Sequence, residues 1–568
     1  MLGNLFRLKN ITRGFPLNQI VKFTLPISNH QHQGRYFLHL GSGTMGNSFS
    51  SESATSSQNP PDNDDAKQKY IDEILQKADE SDGEDFVDQG DELSSINVRD
   101  YVDQFPFENI VFEGGGAKGV VYPGALLALE ELGLMAKIKR FAGTSVGSMT
   151  ACMAALGYSS QEIRKVMETD FRTYFDARLG RLSLLPNLLR HFGWQPMNTL
   201  YEFLGELVEK KLGNKDATFS DLYKKTGKEL CIVVTNVNNM EEEYFHPKTT
   251  PDVPIRMAVR MSASLPGLMQ PVHYTTSGTD NIYVDGGLLA NYPIACFDGW
   301  WLSMKKEDSF LKKMQPLEKL PEIMDRRNRF ARNEETADKT LGFVLYANDE
   351  MQSFKPVFES RRRAFVVHPD TEMGRKAEKK MKNEMKLRKE YLLVKIAINK
   401  FLELASKYDA NGDELISKEE LSGILSDKNF TKHDRDRLFG KDVTVDDVMT
   451  RLDADGNGMI RFQELVAFFE EMGFSMAHRN LGFKRQEVTT LLSLLQTLYT
   501  TLSFNIVQIG FSSLDLPRTI GLNSHYVGTL VFDYEKEDVD FLNRESYQST
   551  MAFLKLYAAN LKAKGERQ

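Results

Sequence analysis

Past residue 105 the hydrophobic pattern switches between two periods. Ile110-Val111-Phe112 is a short unbroken apolar run, as a strand buried on both faces requires, and Val120 to about Leu132 carries the repeat of a helix. Ile138 to Ala142 is a second short run. A helix is predicted from Ser148, through Met149, Ala151, Cys152, Met153, Ala154, Ala155 and Leu156, small and apolar enough to lie buried. Strands alternating with helices predict a parallel sheet with helices on its faces, an α/β class. Farther on, Phe401, Leu404 and Tyr408, then Leu465, Phe468 and Phe469, have the spacing of apolar helix stripes. Val488 to Leu514 carries no charge over 27 residues, yet Thr489, Thr490, Ser493, Gln496, Thr497, Thr500, Thr501 and Asn505 interrupt it. That mixture predicts a buried helix and strand rather than a membrane span. Any membrane contact is therefore expected to be peripheral.

Composition sets the outer limits. With 568 residues, 41% hydrophobic and 26% charged, the chain can hold two to four globular domains. Three scattered cysteines, Cys152, Cys231 and Cys296, make neither a disulfide framework nor a zinc site, and point to a reducing, cytoplasmic setting. The first fifty residues lack Asp and Glu and carry Arg7, Lys9, Arg13, Lys22 and Arg35. Three readings stay open there: a mitochondrial presequence, an unstructured leader, or, if translation begins at Met45, a myristoylation signal at Gly46. Residues 51–100 hold fifteen acidic side chains and read as a solvated linker. The resulting division is 1–104 leader and linker, 105–395 first part of a catalytic domain, 396–475 a helical insert, and 476–560 the closing part.

The chemistry concentrates in Gly143-Thr144-Ser145-Val146-Gly147, which follows one apolar strand and opens a helix. A G-x-S-x-G turn there exposes a serine hydroxyl, and the earlier run Gly114-Gly115-Gly116-Ala117-Lys118-Gly119 offers backbone amides to an oxyanion. The same run fits a dinucleotide fingerprint, but the second strand ends in Gly143-Thr144-Ser145 instead of the acidic residue that would hold a ribose. A Walker A loop lacks its Gly-Lys-Ser/Thr. A Ser-Asp-His triad has His368, His433, His478 and His525 formally available, none in a recognisable loop. Later come Arg260-Met261-Ser262-Ala263-Ser264-Leu265-Pro266-Gly267 and Val284-Asp285-Gly286-Gly287-Leu288-Leu289-Ala290-Asn291-Tyr292-Pro293.

In that order the four motifs resemble the patatin-like phospholipase family over roughly Phe107 to Asp298, with Arg518 to Leu522 and a helix ending near Ala559 similar to the family's closing strand and helix. The resemblance implies a Ser145–Asp285 dyad. Amides around Gly115 and Gly116, in the loop that also includes Gly114 and Gly119, would stabilise the tetrahedral oxyanion. It implies a phospholipase A or lysophospholipase activity on acyl lipids, with neutral-lipid hydrolysis or acyl transfer as the related enzyme reading. A catalytically silent calcium-responsive lipid-binding protein is the reading from another class. Lys118 stands where plant and animal members carry arginine; it could meet a lipid phosphate or bond loop carbonyls.

The insert has its own ligand pattern. Asp409, Asn411, Asp413, Leu415 through its carbonyl, Ser417 and Glu420 occupy the ligand positions of an EF-hand loop. Its sixth residue, Glu414, replaces the usual glycine and should weaken the site. Asp453, Asp455, Asn457, Met459 through its carbonyl, and Glu464 form a second loop that keeps Gly458; Arg461 cannot ligate at its ninth position. Ile416 and Ile460 are expected to pair the loops. The expected cofactor is Ca2+ at two sites, the second more regular, either regulatory or a static brace. A basic run of Arg375, Lys376, Lys379, Lys380, Lys382, Lys386, Arg388, Lys389 and Lys395 reads as an anionic-lipid contact, a target for the calcium lobe, or a solvated face. Trp300 and Trp301 suit an interfacial anchor or a core. The expected partners are thus an acyl-lipid substrate and an anionic membrane surface, with no nucleic acid and no regulatory protein identifiable.

Overall fold

The computed structural model describes residues 96–169, 171–174, 190–276, 278–348, 354–361, 366–409, 412–471 and 488–565. The leader, presequence and myristoylation readings lie outside these residues, as do Asn411 and His478. Twelve strands occur among the described residues. They are β1 (Asn109–Phe112), β2 (Arg140–Thr144), β3 (Gly193–Gln195), β4 (Glu229–Asn236), β5 (Glu241–Phe245), β6 (Gly267–Met269), β7 (Val272–Thr276), β8 (Thr279–Asp285), β9 (Thr340–Tyr346), β10 (Leu415–Ser417), β11 (Met459–Arg461) and β12 (Thr519–Asn523). The main sheet runs β12-β9-β1-β2-β4-β8-β7, with β5 also on β4. From β12 to β4 all neighbours are parallel. β8 and β5 run antiparallel to β4, and β7 antiparallel to β8. The fold is α/β, with a mostly parallel central sheet.

The unbroken apolar runs become the central strands because helices cover both faces of a parallel sheet. β1, β4 and β9 are buried at every residue. Two boundaries differ from expectation. The first helix is Tyr122–Glu131, preceded by a 3-10 turn over Gly116–Val121, and β2 extends to Thr144, so strand and nucleophile turn abut. The helix after the turn, Val146–Ala155, is buried at all ten positions. Against the first helix packs the closing helix, Lys536–Gly565. Asn543 donates to the Val120 carbonyl at 3.1 Å, and a Cβ at Gly124 would collide with the Asn543 carbonyl.

β12 and β9 are neighbours in the sheet but distant in sequence, and the chain between them makes a long helical excursion. Buried Arg518, just before β12, grips both carboxylate oxygens of Asp298 at 2.7 Å, tying the closing strand to the end of the β8 region. The excursion contains a single helix, Glu372–Tyr408, of 37 residues, so position 396 falls inside a continuous element. Thr371 caps its start and also donates to Asp538 Oδ1 at 2.6 Å. Helices Lys418–Ser426, Lys432–Phe439, Val445–Leu452 and Phe462–Glu471 enclose a separate core around Phe401, Leu421, Ile424, Val448, Ile460 and Phe469. β10 and β11 join antiparallel with Ile416 opposite Ile460.

The uncharged stretch is a correction. Residues 488–514 contain one α-helix, Leu491–Gly510, and the start of a 3-10 turn at Ser513, but no strand. Leu494, Leu498 and Leu502, at 41%, 51% and 47% exposure, form a ladder on its outer side. Lack of charge signalled burial on all sides, whereas only one face is packed. No helix among the described residues is long and apolar enough to cross a membrane. Trp300 and Trp301 are half-buried and belong to an internal cluster with Phe310, under Lys248 and Arg329, which favours the core reading over the anchor.

Candidate active site

β2 delivers Ser145 to the top of the sheet at φ 53 and ψ −126, a conformation an L-residue holds only when its surroundings dictate it. Glycines on either side make this possible. A Cβ at Gly143 would collide with the Gly147 carbonyl, and one at Gly147 would stand 2.5 Å from the carbonyl oxygens of Phe112 and Glu113. Ser262 accepts from the Ser145 amide at 2.9 Å and donates its own hydroxyl to the Val233 carbonyl at 2.6 Å, so the turn is held from β4 as well.

Ser145 Oγ donates to Asp285 Oδ2 at 2.7 Å. Asp285 ends β8, on the far side of β4 from β2, and the pair meets across 140 residues because β8 reverses direction there. The carboxylate is completely buried; its Oδ1 accepts from the Gly287 amide at 2.7 Å and from the Tyr499 hydroxyl at 3.2 Å. Burial pushes the Asp285 carboxyl up to about 6, against the opposing pull of the bonds from Ser145, Gly287 and Tyr499. Near neutrality it is a base able to take a proton.

The glycine loop runs directly beside Ser145. Gly114 donates its amide to the Asn291 carbonyl at 3.0 Å, so that amide is already engaged. Gly115 and Gly116 line the cavity with Ser145, and Gly116 has φ +56 with the Thr529 carbonyl where its Cβ would be. Gly119 does not line the cavity; its lack of a side chain makes room for Val146 at the start of the nucleophile helix. Lys118 is buried at the cavity wall. Asn291, from the Asp285 motif, donates to Glu113 Oε1 and the Gly114 carbonyl, both at 3.1 Å, and so fastens the glycine loop to the aspartate turn.

The cavity above Ser145 holds about 1030 Å3 of empty space, partly open to solvent. Val344, Phe354, Val507, Phe511, Leu530 and Phe532 give it an apolar wall, and among the described residues no histidine lines it. Tyr499, Ser503 and Thr529 at this site were not anticipated, since their stretches carry no chemical motif. Asn291 and Ser262 stood inside quoted motifs, which was the available signal.

The two acidic loops belong to the helical excursion, and none of their described residues lines this cavity. Glu414 adopts φ 60, the left-handed turn for which glycine is usual, and Gly458 does so at φ 81. Asp453, Asp455 and Glu464 bring carboxylate oxygens within 4.8 Å of one another. Arg461 pairs with Asp455 at 2.8 Å. In the first loop Asp409 accepts from the Gly412 amide at 2.8 Å, Asp413 from the Leu415 amide at 2.9 Å, and Glu420 caps its helix through Ser417. Among the described residues it forms no comparable cluster.

The family model described as patatin-like phospholipase matches residues 110–298. The uncharacterized protein R571 of Acanthamoeba polyphaga mimivirus is 34% identical over 200 residues, 35% of this chain and 63% of that protein. A probable lipid hydrolase, 463L of Invertebrate iridescent virus 6, is 28% identical over 188 residues, 33% of this chain and 62% of that protein. Neither match reaches two thirds of the relative's length. Among solved structures, VipD from Legionella pneumophila aligns over 79% of this chain and 67% of its own at 17% identity and a TM-score of 0.34. The excursion between β9 and β12 lies outside the family match. Residues 110–298 match the patatin-like phospholipase domain, and Ser145 and Asp285 both stand within it.

Proposed function

We propose that the chain is a calcium-modulated, peripheral lipid acyl hydrolase of phospholipase A or lysophospholipase type. The carrying observation is the 2.7 Å bond from Ser145 Oγ to Asp285 Oδ2 at a strained turn facing an apolar cavity. Asp285 takes the hydroxyl proton as Ser145 Oγ bonds to the ester carbonyl carbon. The amides of Gly115 and Gly116 receive the oxyanion, and collapse expels the alcohol, protonated by Asp285. Water, activated by the same carboxylate, then attacks the acyl-serine, and the fatty acid leaves with Ser145 reprotonated. Lys118 at the cavity wall suits the phosphate of a phospholipid headgroup.

Calcium regulation is supported by the three clustered carboxylates of Asp453, Asp455 and Glu464, with Asn457 and the Met459 carbonyl completing an oxygen-rich set. Asp409, Asp413, the Leu415 carbonyl, Ser417 and Glu420, with Asn411, would form a weaker companion. An EF-hand pair placed between β9 and β12 would act on the hydrolase from both ends of the excursion. Contact with a lipid surface is supported by the exposed ladder Leu494, Leu498 and Leu502, on a helix whose inner side lines the cavity. The basic helix segment from Arg375 suits anionic headgroups, in a cytoplasmic, peripheral setting.

The test is fatty-acid release from mixed phospholipid vesicles and from triacylglycerol emulsion, by wild type and Ser145→Ala, with calcium and with chelator. Serine-dependent release from vesicles that changes with calcium is expected. Release indifferent to calcium would make the acidic loops structural, and release from triacylglycerol alone would move the substrate to neutral lipids. Vesicle binding without release would leave a silent lipid-binding protein.

A further inference from the structure

The aspartate turn is held by an element outside the matched domain. The helix Leu491–Gly510, late in the helical excursion, reaches the site at two points one turn apart. Tyr499 donates its hydroxyl to Asp285 Oδ1 at 3.2 Å, and Ser503 donates to the Gly287 carbonyl at 3.0 Å. Gly287 is shaped for this approach, because a Cβ there would collide with the Tyr499 hydroxyl. Burial, and next the charge of Asp285, push the Tyr499 hydroxyl well above the ordinary phenol range, so it remains a proton donor at every working pH.

The three bonds to Asp285 divide its carboxylate. Oδ1 is taken by Gly287 and Tyr499, leaving Oδ2 to Ser145. A carboxylate held on one oxygen cannot rotate away from its serine, and each donor makes its ionised form easier to reach. We propose that Tyr499 is a positioning residue of the hydrolase: its hydroxyl fixes the Asp285 carboxylate through Oδ1 and so keeps Oδ2 aimed at Ser145. The proposal rests on the serine-hydrolase reading above. The facing groups are Ser145 from the nucleophile turn, Tyr499 itself, and, across the same cavity, Glu113 and Lys118 from the glycine loop; Tyr292 lies in the same motif as Asp285. A tyrosine that merely packs there would influence rate through the shape of the cavity, equally at all pH values.

The experiment is labelling of the full chain by a soluble serine-directed fluorophosphonate between pH 5 and pH 9, which needs neither lipid nor calcium. Wild type, Tyr499→Phe and Thr501→Ala are compared, the last an exposed position on the same helix, with far-UV circular dichroism to establish folding. In Tyr499→Phe the acid limb should move to higher pH, with about a tenfold slower reaction at pH 6 and a much smaller deficit at pH 8. Thr501→Ala should follow wild type. A folded Tyr499→Phe with the wild-type midpoint overturns the proposal, whether its rate is unchanged or lowered uniformly. If wild type itself fails to label while Ser145→Ala behaves identically, the nucleophile reading falls and this role for Tyr499 falls with it.

Discussion

The nucleophile turn and the first acidic loop both hold a non-glycine residue at positive φ, Ser145 at 53° and Glu414 at 60°, but their surroundings differ. Around Ser145 the neighbours are packed main chain. Gly143 and Gly147 touch backbone wherever a Cβ would go, and β1, β4 and the nucleophile helix leave no room to relax. Around Glu414 the loop is open: at Gly412, as at Gly456 and Gly458 of the second loop, a Cβ would meet nothing within 4 Å. Its turn is held by local bonds, from the Glu414 amide to Asp409 Oδ2 at 3.2 Å and from the Leu415 amide to Asp413 Oδ1 at 2.9 Å. Strain imposed by a core is preorganisation, as a nucleophile needs. Strain held by a few exposed bonds can be released by a ligand, as a responsive element needs.

The largest effect that would break this contrast is on turnover. Ser145→Ala and Asp285→Asn should each lower ester hydrolysis by at least about a thousandfold while the far-UV spectrum stays native. Substantial turnover in either purified variant removes the dyad.

Next comes backbone crowding. Gly147→Ala places a methyl 2.5 Å from two carbonyl oxygens and should cost about 3 kcal/mol in urea unfolding, whereas Gly456→Ala meets only the left-handed penalty of about 1 kcal/mol. Equal losses would mean the two turns are not differently supported.

A third prediction concerns pH. The Asp285 carboxyl lies at about 6 in the fold, above its ordinary value, so the fold favours the neutral acid. Its contribution to stability is intact below about pH 4 and is lost as pH rises through about 6. Asp285→Asn should therefore be more stable than wild type at pH 8, by on the order of 2 kcal/mol, and gain nothing at pH 4. Denaturant titrations at the two pH values decide this, and an advantage of the same size at both would refute it.

The smallest effects belong to the loops. Glu464→Gln should weaken the calcium response more than Glu420→Gln, since Glu464 already gathers with Asp453 and Asp455, whereas Glu420 belongs to no such cluster among the described residues. Glu414→Gly, by removing a side chain from a left-handed position, should strengthen calcium binding by the first loop by less than about 1 kcal/mol. Calorimetric titration ranks all three, and a reversed order for the two glutamates contradicts the comparison.

Much of the candidate site was legible because its demands are local. A serine at a strained turn needs Gly143 and Gly147, and a loop passing its side chain needs Gly114 and Gly116; glycine leaves a mark in sequence that few other requirements do. The acidic loops were legible for a similar reason, their ligand types recurring at fixed spacing. Less legible was the region between residues 488 and 514, where absence of charge suggested full burial. The actual helix is packed on one side and bare on the other, and side-chain types alone do not distinguish these when both faces are apolar or hydroxylic.

Sequence by itself determined the alternation of strands and helices, the serine turn, the glycine loop and the oxygen-rich loops, since each is set by neighbours within about a dozen residues. Only tertiary structure decided that β8 would run antiparallel beside β4 and so bring Asp285 to Ser145. Tertiary structure also placed β12 next to β9 with the helical excursion between them, and set Tyr499 against the Asp285 carboxylate. Those contacts join residues from about fifty to more than two hundred positions apart, and such pairs meet through the burial of whole sheet and helix faces, which no local pattern records.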